Sequence, residues 1–112
     1  MEVDWNPQLD LLESDDKITV KAEVPGIEPK DIDISIDRDM LVIKGEKKHE
    51  KEESGERYHR VERSFGSFYR AVRLPGEVDR DKIDAKYTNG VLDITLPKVE
   101  ADRKKITHVK VH

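Results

Sequence analysis

Cysteine is absent from this 112-residue chain, which excludes a disulfide framework, a thiolate metal site and a cysteine nucleophile. A reducing compartment, the cytoplasm, is the expected setting. Long apolar runs are missing too. No stretch approaches the roughly 18 apolar residues of a membrane helix, and Met1-Glu2-Val3-Asp4-Trp5 lacks the basic-then-apolar pattern of a secretory leader. Neither membrane insertion nor secretion is expected. Aromatic residues make up only 5% of the chain, few for a sugar-binding platform built from exposed rings. An excess of one charge sign is also lacking: 41% of residues are charged, yet the net charge is −4. The charges are therefore interspersed, which favours solubility, and no basic face is available to neutralise phosphates. Nucleic acid is not an expected partner.

The constellations of an enzyme are missing as well. His49, His59, His108 and His112 show no His-Glu-x-x-His spacing, and Ser64-Phe65-Gly66-Ser67 matches neither a nucleophile elbow nor a phosphate-binding loop. Asp37-Arg38-Asp39 reads as a solvated turn rather than a cation site, because an arginine separates the two carboxylates. No catalytic residue, cofactor or metal is assigned, and the chain is not expected to be an enzyme.

What the sequence has in abundance is alternation. In Ile18-Thr19-Val20-Lys21-Ala22-Glu23-Val24 every second residue is apolar, the period of a half-buried strand, and Pro25-Gly26 supplies the turn that ends it. Ile32, Ile34 and Ile36 alternate with polar residues before Asp37-Arg38-Asp39 turns into Met40-Leu41-Val42-Ile43-Lys44, which reads as a hairpin. Ile83, Ala85 and Tyr87 alternate likewise, Asn89-Gly90 is a tight-turn pair, and Leu92, Ile94 and Leu96 alternate after it. Leu9–Leu12 and Phe68–Leu74 bring the expectation to seven strands, with room for an eighth at Tyr58–Val61. Helical periodicity is limited to single turns at Pro29–Ile32 and Asp79–Ile83. Short strands at this spacing predict one all-β domain, a β-sandwich.

Two features break the alternation. Glu46–Phe65 is a long, strongly charged connection. Composition reads it as a solvated surface loop, while its second half, Tyr58, His59, Arg60, Val61 and Glu62, can also form a short strand on an arm that pairs with another chain's sheet edge. Along Phe68, Arg70, Val72 and Leu74, Arg70 is the one charged residue on an apolar face. It is expected at an interface with an acidic partner, or else to reach water where the sheet bends.

The string Ala85-Lys86-Tyr87-Thr88-Asn89-Gly90-Val91-Leu92 followed by Leu96-Pro97-Lys98 matches an A-x-x-x-N-G-V-L signature. Trp5-x-Pro7-x-x-Asp10 with Glu13, Val24-Pro25-Gly26, Leu41-Val42-Ile43-x-Gly45-Glu46, Tyr58-His59-Arg60-x-Glu62-Arg63, Phe65-Gly66-Ser67-Phe68 and Leu74-Pro75 occur in the matching order. On these motifs residues 5–98 resemble the α-crystallin domain of small heat shock proteins of the bacterial, archaeal and plant type. The resemblance divides the chain into a short N-terminal remnant (1–4), the domain (5–98) and a C-terminal extension (99–112).

The resemblance implies an immunoglobulin-like β-sandwich and an ATP-independent holdase that captures partly unfolded client proteins. It implies a homodimer formed by strand exchange, Tyr58, His59, Arg60, Val61 and Glu62 pairing with the partner's edge at Leu9, Leu11 and Glu13, with Arg70 at the same interface. It implies a groove between Ile32, Ile34 and Ile36 on one wall and Ile83, Ala85 and Tyr87 on the other. That groove would take a client or a neighbour's tail, whose anchors here are Ile106, Val109 and Val111. Such proteins usually carry a hydrophobic arm of some tens of residues ahead of Trp-x-Pro, and Met1–Asp4 stands in its place, so a homodimer is the expected assembly, with a higher oligomer left open. The alternative reading is a co-chaperone adaptor of the same fold that binds one folded partner.

Overall fold

Alternation dictates strands, and the turn residues dictate where they reverse. In the computed structural model, which describes residues 5–47, 66–100 and 109–112, both rules hold. The strands are β1 (Leu9–Glu13), β2 (Lys17–Glu23), β3 (Ile32–Asp37), β4 (Met40–Lys47), β5 (Gly66–Arg73), β6 (Asp84–Thr88) and β7 (Val91–Pro97). The two expected helical turns are short 3-10 segments at Pro29–Asp31 and Arg80–Lys82. The possible eighth strand at Tyr58–Val61 lies outside the described residues.

Both tight hairpins rest on left-handed backbone. Asn89 and Gly90 have φ of 52° and 82°, the pair of positive angles that matches a two-residue turn to the twist of β6 and β7. Arg38 takes φ 59° in the β3–β4 turn, a conformation in which a non-glycine residue is uncommon.

The strands form two antiparallel sheets, ordered β1-β2-β7-β6 and β3-β4-β5. Their inner faces enclose the core. Ile18, Val20 and Ala22 of β2, Leu92, Ile94 and Leu96 of β7, Leu41 and Ile43 of β4, and Phe68 of β5 are buried. Each fully buried large aliphatic or aromatic side chain contributes about 1.5–3 kcal/mol. Inward residues of three outer strands, among them Leu9, Leu11, Ile34, Ile36 and Tyr87, pack against this core while staying only half-buried. Strand position in the sheet therefore sets how completely an apolar face is covered.

Two details fix the packing. Gly45 on β4 lies beneath the Phe68 ring, where a methyl group would come within 2.5 Å of Phe68 Cε1. On the outer face of the larger sheet, Asp10, Lys21, Asp93 and Lys86 stand opposite one another in register across all four strands. Opposite charges at cross-strand positions favour this register over a one-residue slip, which would also turn the core residues outward.

Candidate functional site

A two-sheet sandwich that does not close into a barrel has two open sides, each flanked by edge strands. Here β3 and β6 flank one side, and β1 and β5 flank the other. An edge strand carries backbone N–H and C=O groups without ladder partners, ready to pair with an added strand.

Along the first side runs a groove of about 350 Å³ lined by Ile34, Ser35 and Ile36 of β3, by Ile83 and Ala85, and by Arg80. The alternation of β3 turns Ile34 and Ile36 inward and leaves Asp33, Ser35 and Asp37 exposed. On the opposite wall Ile83 is extended just ahead of β6 rather than within it, and the small Ala85 leaves room that a larger side chain would fill. The floor is apolar and the rim polar, the composition of a site for extended polypeptide.

Four of the six residues expected in the groove are thus brought together. Ile32 and Tyr87 lie on the same walls but are not part of the lining. The Ile32 N–H bonds to the carbonyl of Pro29, and the Tyr87 hydroxyl donates to the carbonyl of Val24 at 2.8 Å, drawing that ring toward the core. Ser35 and Arg80 were not expected from the sequence. Arg80 also lines a neighbouring cavity of about 290 Å³ with Arg38, Asp39 and residues 74–78, and its Nη2 donates to the Arg38 carbonyl at 2.7 Å.

The second side is organised by polar contacts. Leu9 and Leu11 of β1 turn toward the core, and Glu13 ends the same face. The Glu13 carboxylate meets the Lys98 ammonium at 2.6 Å, and Lys98 is only 1% exposed. Lys98 was not expected at this side, although the sequence carries a signal for it: Leu92, Ile94, Leu96 and Lys98 share the inward period of β7. Arg70 is half-buried on the core-facing side of β5, as its period requires. Within its own chain, its Nη1 donates to the carbonyl of Pro7 at 2.8 Å. The guanidinium reaches backbone because residues 5–7 lie along β5, where the Trp5 N–H bonds to the Ser67 carbonyl and the Trp5 and Phe68 rings stand 5.1 Å apart. Tyr58, His59, Arg60, Val61 and Glu62 are outside the described residues, as is Ile106. Val109 and Val111 are 82% and 91% exposed and rest in no groove of their own chain.

Among the described residues no group of three His, Asp or Glu side chains is arranged to hold a metal ion, and no helix is long and apolar enough to cross a membrane.

Two antiparallel sheets in this order, open at both sides, make an α-crystallin-type sandwich. The chain belongs to the Hsp20/alpha crystallin family, whose model matches residues 10–112. It is 43% identical to small heat shock protein C2 of Rickettsia felis over 104 residues, covering 93% of this chain and 68% of that protein. It is 43% identical to the 17.6 kDa class I heat shock protein 1 of Arabidopsis thaliana over 101 residues, covering 89% of this chain and 65% of that one. Among solved structures, heat shock protein 16.0 from Schizosaccharomyces pombe superposes with a TM-score of 0.76 at 33% identity, covering 97% of this chain and 100% of that chain. A small heat-shock protein from Xylella fastidiosa, described as having a distinct high order structure, gives 0.69 at 38% identity, covering 96% and 97%. The family is one of small heat shock chaperones.

Proposed function

We propose that this chain is an ATP-independent holdase that binds partly unfolded proteins and keeps them from aggregating. The observation that carries this reading is the β3/β6 groove, an apolar channel flanked by edge strands at the border of both sheets. Unfolding clients expose the complementary features, apolar side chains at every second position and unpaired strand edges, which otherwise join one another. A groove that takes such a segment through side chains and backbone needs no nucleotide. In the same proposal the chain works as a homodimer, with the β1 edge at Leu9, Leu11 and Glu13 receiving the strand Tyr58–Glu62 of a partner and Arg70 at that interface. The groove receives Val109 and Val111, with Ile106 as a further anchor, when no client occupies it.

The test is light scattering of a heat-denatured client with and without ATP. Aggregation should fall in proportion to added chain, to the same extent in both conditions. If no client is protected while one folded protein is bound tightly, the chain is an adaptor instead.

A further inference from the structure

The geometry points to charge selection in the β3/β6 groove: it prefers an apolar-x-apolar strand whose middle residue is a cation, and the segment Val109-Lys110-Val111 of a second copy of this chain is built to that rule. This inference rests on the reading of the groove as a strand-binding site. Val109 and Val111 are exposed in their own chain, so the apolar pair is available to a neighbour.

A strand laid along the β3 edge with Val109 and Val111 turned inward sets them beside Ile34 and Ile36. Its middle residue then points outward opposite Ser35, whichever direction the strand runs. The diagonal neighbours of that position are Asp33 and Asp37, both exposed. Diagonal positions in a sheet are about 7–8 Å apart, within reach of a lysine side chain. Within its own sheet Asp33 faces Lys44 on β4, which offsets part of its charge, whereas Asp37 faces Met40. Asp37 is therefore the stronger selector.

The opposite wall does not counter this preference. Outward residues there are Asp84 and Lys86, of opposite sign, so it discriminates little. Arg80 adds one positive charge to the lining, but a hydrogen bond turns its Nη2 to the Arg38 carbonyl at the neighbouring cavity. The segment 103–112 reads Arg-Lys-Lys-Ile-Thr-His-Val-Lys-Val-His and contains no acid. Its net charge is thus opposite to that of Asp33 and Asp37 on the β3 rim.

The experiment is fluorescence anisotropy with a labelled peptide of residues 103–112 titrated with the full chain. At low ionic strength the Lys110→Glu peptide should bind about fivefold more weakly, since two attractions become two repulsions between exposed charges. That difference should shrink at about 0.5 M salt, where screening acts within a few ångströms. The Asp37→Lys chain should lose or invert the preference, and Asp33→Lys should do so less. Equal binding of both peptides, with binding still abolished by Ile34→Asp, overturns charge selection and leaves the groove intact. Failure of both peptides to bind, or binding indifferent to Ile34→Asp and Ala85→Phe, overturns the groove reading and the selection with it.

Discussion

The two open sides of the sandwich are built from the same parts and held in different ways. At the β1/β5 side charged groups reach into the structure: Lys98 to Glu13, and Arg70 to the carbonyl of Pro7. At the β3/β6 side the groove's walls are aliphatic, with Ile34, Ile36, Ile83 and Ala85 meeting across open space. Polar contacts have fixed geometry and are costly to leave unmade, so they suit an edge that must keep one shape for one partner. Apolar contacts are non-directional, so a groove lined by them accepts related segments in turn. In the proposed function that difference separates a committed edge from an exchangeable one.

Removing the committed side's central contact should break that contrast most severely. Glu13→Ala takes the carboxylate from a buried ammonium and is expected to cost about 3 kcal/mol, read as a lower urea midpoint. Adding Lys98→Met to it should recover much of the loss, because an apolar side chain of similar length needs no counter-charge. A double variant no more stable than Glu13→Ala alone would show that Lys98 does not depend on that carboxylate. Arg70→Ala is expected to cost about 2 kcal/mol through the lost charged hydrogen bond to Pro7, and to weaken self-association in analytical ultracentrifugation. An unchanged dimer would remove Arg70 from the interface. The smallest effect on stability should come from the exchangeable side. Ala85→Phe fills the groove from an exposed position and should shift stability by no more than about 0.5 kcal/mol while abolishing binding of the 103–112 peptide. A large loss of stability would mean that the groove is part of the core.

Much of this was legible along the chain. Period-2 alternation or a short apolar run marked each of the seven strands, and Asn89-Gly90 marked the β6–β7 hairpin, because strand period and turn geometry are local properties. Arg70 stood out for the same reason, as a charge on an apolar face. Its partner did not, because Pro7 is 63 residues away in the chain. Lys98 is the more instructive case. Leu9-x-Leu11-x-Glu13 and Leu92-x-Ile94-x-Leu96-x-Lys98 both end an inward face with a charge. Either run alone reads as a strand fraying into solvent. They become an ion pair only once β2 is seen between β1 and β7, with both runs ending at the same end of the sheet.

The groove divides along the same line. That β3 and β6 each present an apolar face was set by the sequence alone, since alternation assigns residues to faces without reference to any neighbour. Which faces remain half-covered was decided by the tertiary structure, through the order in which strands join the sheets. Sheet order follows from long-range pairing, so it left β3 and β6 as edges flanking one open side, with Ser35 and Arg80 added to its lining, while β2, β4 and β7 went to the centre.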